Sequence, residues 1–361
     1  MENNKFFVIS SSCKLVKGAN RSIIVDYLRN DVRIIPNTYY DLTDLMDRKP
    51  LEEVLGMIDS ASVDSFYDFL NFMLSNEYGF LLDNPENFPQ ISNKVHDDHV
   101  ILKDCIIEID PTEFENEIFN ESLFQLNNLS CDDLQIRFLG SVEMDFVNHI
   151  LNEINLYDFN CVELHIRYGA KMKRNICFDI IENFAPISNI YLYNSKQTEK
   201  DECLINREGH AGLLMGNIIS IEDDLNSNSC GVINKESLSF TDIDLHNLIT
   251  EYNGCLYKKL TINTRGDIKN CPYMVKEYGN ILQNNLDVIL NDPEFRNYWF
   301  IKKDEIDICK DCEFRYNCTD CRAFVENDDL KGKPLKCGYD PYTNKWEEWS
   351  NSPLKVYDQV D

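Results

Sequence analysis

Positive charge is scarce in this chain: 35 Lys and Arg stand against 62 Asp and Glu, a formal net charge of -27 at pH 7. Such a surface repels a polyanion, and no local basic patch offsets it, so no nucleic-acid partner is expected. Long apolar runs are missing too. Nothing approaches the roughly 20 residues of a membrane span, and the opening MENNKFF lacks the apolar core and small-residue cleavage site of a secretory signal. The expectation is a cytoplasmic protein with no membrane partner. Signatures of familiar catalysts are equally scarce. No GxxxxGK, GxGxxG, HExxH or ordered Ser-His-Asp set stands out, and the glycines of GHAGLLMG lack a strand-to-helix context. No catalytic residue can be named. What the chain has in quantity is cysteine, 14 in all. Half of these lie at or beyond Cys255.

The length, 361 residues, suggests two or three domains, and three blocks follow one another. In residues 1–83, extended segments at Phe6 to Ser10 and Cys13 to Val16 precede a Gly18-Ala19-Asn20 turn and the apolar run Ser22 to Tyr27. Three helical patterns come next: one capped by Asn37 or Thr38, one opened by Pro50, and one burying Phe66, Phe69, Leu70, Met73 and Leu74 before Gly79. With a short extended return at Phe80 to Leu82, the order is that of a winged helix-turn-helix. Its third helical pattern has Asp64, Asp68 and Glu77 and no Lys or Arg, which argues against a DNA-reading helix. Residues 84–99 form a Pro- and Asn-rich linker, where His96-Asp97-Asp98-His99 reads as a solvated loop before it reads as a metal site.

Residues 100–250 alternate strands with helices. Strands are expected at Cys105 to Ile109, Leu134 to Leu139, Cys161 to Arg167 and Asn189 to Tyr193, with the clearest helix at Val142 to Ile154. This βαβ order implies a parallel sheet, and its length is too short for eight units, so a partial (β/α) barrel is expected. Residues from about Ser195 to Asn228 read as irregular and polar. Cys105, Cys161 and Cys177 read as small buried hydrophobes. Cys203 and Cys230 lie near loops and stay open, and His149 and His165 read as ordinary core or surface residues. The fold class is therefore α/β: a winged-helix-like domain, a degenerate partial barrel, and a cysteine-rich domain at residues 251–345 before a tail at 346–361.

The third block carries the chemistry. An alternating strand through Leu260 and Ile262 turns at Arg265-Gly266 and returns through Ile268, which brings Cys255 and Cys271 to one side. Cys309 and Cys312 form one C-x2-C pair, Cys318 and Cys321 a second, and Cys337 follows. Zinc-ribbon knuckles are usually ~15–20 residues apart, whereas five separate these pairs, and seven thiolates exceed the four that one zinc takes. Interleaved cysteine runs of this kind suit iron-sulfur clusters, with zinc as the alternative.

Two resemblances extend this reading. The first block resembles the PqqD-like peptide-recognition element of systems that make ribosomally synthesised, modified peptides. That resemblance implies a precursor peptide added as a strand to an exposed sheet edge, for which Ser22, Ile23, Ile24, Val25 and Asp26 are the candidates. The series Cys255-x10-Gly266-x4-Cys271, Cys309-x2-Cys312-x5-Cys318-x2-Cys321 and Cys337 resembles the SPASM domain of radical S-adenosylmethionine peptide maturases. That resemblance implies two auxiliary 4Fe-4S clusters, one held by Cys255, Cys271 and Cys321, the other by Cys309, Cys312, Cys318 and Cys337. The CxxxCxxC loop of radical enzymes is not in the sequence, so S-adenosylmethionine is not expected as a cofactor. Together the features resemble the SPASM-domain maturase of grasp-with-spasm systems, which implies a precursor peptide and an ATP-grasp ligase as partners. Membership would not make this chain the catalyst. A peptide-modifying enzyme with an open cluster site and a zinc-stabilised interaction or regulatory protein are the other readings.

Overall fold

The computed structural model describes residues 4–88, 100–184, 186–206, 213–225, 233 and 235–346. Its chain forms two compact units, one of Met1–Asp97, Val232–Gly254 and Ile301–Asp361, the other of Asp98–Gly231 and Cys255–Phe300. The blocks read from the sequence are contiguous, whereas the units are not. Each unit draws on the cysteine-rich third block.

In the first unit, β1 (Phe6–Ile9) pairs antiparallel with β5 (Gly79–Leu82), while β2 (Cys13–Lys17), β3 (Arg21–Asp26) and β4 (Asp31–Pro36) form an antiparallel sheet in that order. The helices α1 (Asn37–Met46), α2 (Leu51–Met57) and α3 (Val63–Ser75) fall where periodicity placed them. Strand β4 is one more than the sequence suggested. Asn37 does not cap α1: its side chain accepts from Ser22 Oγ at 2.7 Å and donates to Gly18 O at 3.0 Å, locking the β2–β3 turn to the helix start. Glu77 lies beyond the end of α3, in a left-handed conformation at φ 55°.

The candidate peptide-binding edge needs correction. Strand β3 is the central strand, bonded through Cys13–Lys17 on one side and Asp31–Pro36 on the other. Its two faces are covered as well. Ile24 packs with Phe7, Met46, Phe66 and Phe69 under the helices, whereas Ile23 and Val25 pack with Val16, Tyr27, Phe314 and Tyr339. Ser22, Ile23, Ile24, Val25 and Asp26 are all 0 % exposed. An uninterrupted apolar run signals burial on both faces, and a backbone bonded on both edges cannot accept another strand.

The second unit is built on a mostly parallel sheet. Strands β6 (Asp104–Ile109), β7 (Asp133–Phe138), β8 (Cys161–Arg167) and β9 (Ile187–Tyr193) alternate with α4 (Asn116–Asn128), α5 (Met144–Ile154) and α6 (Arg174–Asn183). The stretch read as irregular holds two more strands, β10 (Glu199–Asn206) and β11 (Leu213–Ser220), antiparallel to each other, with β11 parallel to β9. At the other side β12 (Lys259–Ile262) joins β6 in parallel and β13 (Ile268–Lys269) closes an antiparallel hairpin on it. The strand order is β10-β11-β9-β8-β7-β6-β12-β13. One face of the sheet is apolar: Ile107, Ile136, Leu164, Ile190 and Leu260 pack with Leu123, Ile150 and Ile180 of the helices. Burying such a face is the dominant favourable term in folding this unit.

The β12–β13 turn forms as its sequence requires. Asn263 Oδ1 accepts from the backbone N–H groups of Arg265 at 3.0 Å and Asp267 at 2.9 Å, and Gly266 sits at φ 82°. A Cβ at Gly266 would lie 3.0 Å from Ile281 Cγ2. Because the left-handed region costs an L-residue about 1–2 kcal/mol and this site is crowded besides, Gly266→Ala is expected to lower unfolding free energy by at least about 1 kcal/mol. Chemical denaturation of the two proteins measures it, and equal midpoints would contradict the assignment of strain to this turn.

Candidate metal centre

In the first unit Cys309, Cys312 and Cys318 lie in or directly after short 3-10 turns rather than on long elements. Lys303–Glu305, Cys309–Asp311 and Arg315–Asn317 follow one another, and Cys312 N donates to Cys309 O at 3.0 Å, which makes the first C-x2-C a tight turn. Ile308, just before it, takes φ 68°, a conformation that β-branched residues avoid. Cys337 enters through a bridge to Ile233 and a turn from Pro334.

Cys309, Cys312, Cys318 and Cys337 line one cavity of about 20 Å³, with Lys303 and Phe314 also in its wall. These are the four residues that the SPASM resemblance assigns to one cluster. Among the described residues no three His, Cys, Asp or Glu side chains already converge on one coordination point. The donor set is that of a four-thiolate site.

Electrostatics around the thiols favour a cationic guest. Burial pushes Cys309 up to about 11 and Cys318 up to about 12; Lys303 pulls both back, and neighbouring thiols push both further. Burial also raises Cys312, opposed by the Phe314 N–H that lies 3.4 Å from its Sγ and aided by Glu313, Cys318 and Cys309. Deprotonating one thiol thus hinders the next, and a metal that neutralises them relieves both costs.

Beneath the thiols lies a closed ionic network. Lys303 Nζ, on a side chain 3 % exposed, reaches Asp320 Oδ1 at 3.1 Å, Thr319 O at 3.0 Å and Cys318 Sγ at 4.0 Å. Asp320 also accepts from Arg322 Nη2 at 2.9 Å and Asn253 Nδ2 at 2.7 Å, and Arg322 Nη1 donates to Leu330 O and Gly332 O. Burial acts to raise the Asp320 pKa, but Lys303 and Arg322 outweigh it and hold the carboxyl below its usual range. Its contribution is present above the ordinary carboxylate pKa, about 3.9, and is lost as pH falls through the depressed folded value.

The second unit holds Cys255 and Cys271 on the wall of one cavity of about 310 Å³. The hairpin joins them as its pattern suggested. Cys321, the third member of that implied set, belongs to the first unit. Cys105 and Cys177 are core residues, 1 % and 0 % exposed, whereas Cys161 is half-buried, with Sγ 2.8 Å from Ser188 Oγ. Side chains flanking the strand start, with Asp104 and Asp133 nearby, leave Cys161 beside a cavity rather than in the core. Cys230 and the His96-Asp97-Asp98-His99 segment lie outside the described residues, as does the side chain of Cys203.

Sequence reasoning missed what forms the rest of the larger cavity. Opposite the apolar face, Gln135 and Glu163 lie in register, as do Arg137 and His165 one step further along β7 and β8. Strands of a parallel sheet usually read as continuous apolar runs. The alternation in LQIRF and VELHI was the available signal that one face is polar.

Residues 255–313 match the family model of the SPASM domain, an iron-sulfur cluster-binding domain. No curated protein matches the chain. Among solved structures it is similar to SuiB of Streptococcus suis bound to S-adenosylmethionine, with 13% identity, 91% of this chain and 99% of that chain covered, and a TM-score of 0.39. For SuiB bound to precursor peptide SuiA the figures are 11%, 91%, 98% and 0.38. For hexahistidine-tagged anSMEcpe with bound AdoMet they are 11%, 71%, 98% and 0.34. Likeness of that degree transfers no ligand or activity to this chain.

Removing the shared anion of the ionic network would strand two buried cations. Asp320→Ala is therefore expected to destabilise the protein by about 3–5 kcal/mol, near the limit that many domains tolerate. Thermal unfolding at pH 7 measures this, and a melting temperature unchanged from the parent would show that the network is not the anchor of the cysteine turns.

Proposed function

We propose that this chain is an iron-sulfur protein that binds a ribosomally made precursor peptide and presents it for modification together with an ATP-grasp ligase. The observation that carries the reading is the gathering of Cys309, Cys312, Cys318 and Cys337 around one cavity. The SPASM match over residues 255–313 supports it, since that domain is an iron-sulfur one. In this reading those four cysteines hold one 4Fe-4S cluster, and Cys255 and Cys271 contribute to another. When bound, such clusters supply electron transfer or a Lewis-acidic iron. The chain's own groups prepare the site: Lys303 sets a positive charge beside Cys318, and the Phe314 N–H points at Cys312.

Peptide recognition is assigned to a different edge from Ser22–Asp26. Strand β4 pairs only with β3 among the described residues, which leaves its other edge as the candidate, with Arg33 and Ile34 exposed. Addition of a strand there would use main-chain hydrogen bonds for affinity. The sequence lacks the CxxxCxxC of radical enzymes, which supports a presenting role over radical chemistry.

A single zinc ion is the second reading, since four thiolates are also a zinc donor set. Metal and acid-labile sulfide analysis of anaerobically prepared protein separates the two. The expected result is about eight iron and eight sulfide per chain for two cubane clusters, falling to about half in Cys309→Ala and unchanged in the core variant Cys177→Ala. Zinc without sulfide would overturn the cluster reading. For the peptide, co-expression with the products of adjacent genes and mass spectrometry of the precursor, with and without this chain, tests presentation. Ile34→Pro is expected to weaken precursor binding about tenfold or more by blocking the β4 edge, and unchanged binding would remove that edge from the proposal.

A further inference from the structure

The cavity of about 310 Å³ in the second unit has leftover hydrogen-bonding capacity of one kind. Its principal carboxylate is already occupied. Glu163 Oε1 accepts from Asn189 Nδ2 at 2.7 Å and Oε2 from Gln135 Nε2 at 3.2 Å. The Arg137 guanidinium, 3 % exposed, donates through Nη2 to Tyr273 OH at 2.6 Å and stands 3.9 Å from Glu108, beyond hydrogen-bond reach. Its Nε is buried with no hydrogen-bond partner among the described residues. Next to it across the β7–β8 register is His165, 7 % exposed, stacked on Tyr191 with centroids 4.6 Å apart. Its Nδ1 lies 3.2 Å from Tyr193 OH, and its Nε2 is 4.0 Å from Glu163 and likewise unpartnered.

Buried polar atoms without partners are rare in folded proteins, and here two belong to residues of neighbouring strands that line one cavity. Arg137 Nε–H can only donate, and its charge is permanent. With Nδ1 accepting from the Tyr193 hydroxyl, His165 Nε2–H donates as well. The complement of two convergent donors, one of them cationic, is an anionic oxygen pair, which a planar carboxylate matches best. Cys255 and Cys271 lie on the wall of the same cavity, so the ligand shares it with the group those thiols hold in the proposed function.

We propose that Arg137 and His165 form a carboxylate-binding site, and that its ligand is an acidic side chain of the peptide. The carboxylate docks on Arg137 Nε and His165 Nε2, while Tyr273 and Tyr193 position those two side chains. This deepens the peptide-presenting reading and takes its source of carboxylate from it. The binding chemistry itself rests on the cavity alone.

The test uses the full chain, prepared anaerobically, and the blocked amino acids N-acetylglutamate amide and N-acetylglutamine amide, followed by saturation-transfer NMR and calorimetry. The glutamate probe is expected to bind at least about tenfold more tightly than its neutral isostere, and Arg137→Met to abolish the difference. If Arg137→Met unfolds, Arg137→Lys keeps the charge and loses the Nε donor, and about a tenfold loss of affinity is expected. Equal binding of the two probes, unchanged affinity in a folded Arg137 variant, or saturation by inorganic phosphate with no response to glutamate would each overturn the proposal. A free small carboxylate as ligand is distinguished by glutarate binding more tightly than the blocked glutamate, which would overturn the peptide assignment. Neither precursor nor ligase enters the experiment. A chain that binds the glutamate probe but no precursor defeats the presenting function alone, and one that binds precursor but not the probe defeats this inference alone.

Discussion

Strand β3 is enclosed on all four sides, and the first unit depends on that enclosure. Both edges are hydrogen-bonded, one face rests on the helices, and the other packs with Phe314 and Tyr339 from the cysteine-rich segment. Arg21, at its start, pairs with Glu313 at 2.6 Å, and Tyr27, just past its end, contacts His246 at 2.6 Å. The turns that carry Cys309 and Cys312 are too short to hold their own shape. They take it from a strand laid down far earlier in the chain, through apolar contact and an ion pair whose carboxylate, Glu313, is buried.

The second unit obeys a different constraint. A parallel sheet with helices on one face has to do something with the other, because its backbone is paired and its side chains alternate by two. Here that face is polar, and its groups mostly satisfy each other: Asn217 donates to Asn189, Asn189 to Glu163, and Gln135 to Glu163. Satisfied networks of this type rigidify a fold. Burial pushes the His165 pKa down, with Glu163 opposing and the Arg137 charge adding to the depression, so the ring stays neutral at pH 7.

Much of this was legible in the residues. Apolar runs placed β6 to β9 within about two residues, and the Asn263–Gly266 turn announced its hairpin because few residues tolerate positive φ. The cysteine spacing pointed to a metal-binding series, and the SPASM resemblance set apart the four residues that share a cavity. Four features were not legible, each for a physical reason. Strand β4 carries Arg33 and ends in Pro36, as exposed edges do, and so resembles a loop. Strand β10 lies at the sheet edge, where EKDE need bury little. Ser22–Asp26 looked like an edge because β4 had not been recognised beyond it. Its unbroken apolar character was the warning, since natural edges avoid such runs. Arg137 and His165 were passed over because a side chain's value as a ligand depends on which neighbours stay unpaired, and only three-dimensional register decides that.

The pairing of β12 with β6, Lys259 opposite Asp104, has a consequence for how the chain comes to be made. Every residue of β6 to β11 is synthesised before the strand that covers the open side of β6. At ~5–20 residues per second, that side waits on the order of ten seconds on the ribosome with its backbone groups unpaired. The strand that ends the wait is flanked by Cys255 and Cys271. Closure of that side of the sheet and arrival of those two thiols at their cavity therefore fall close together in the life of the nascent chain.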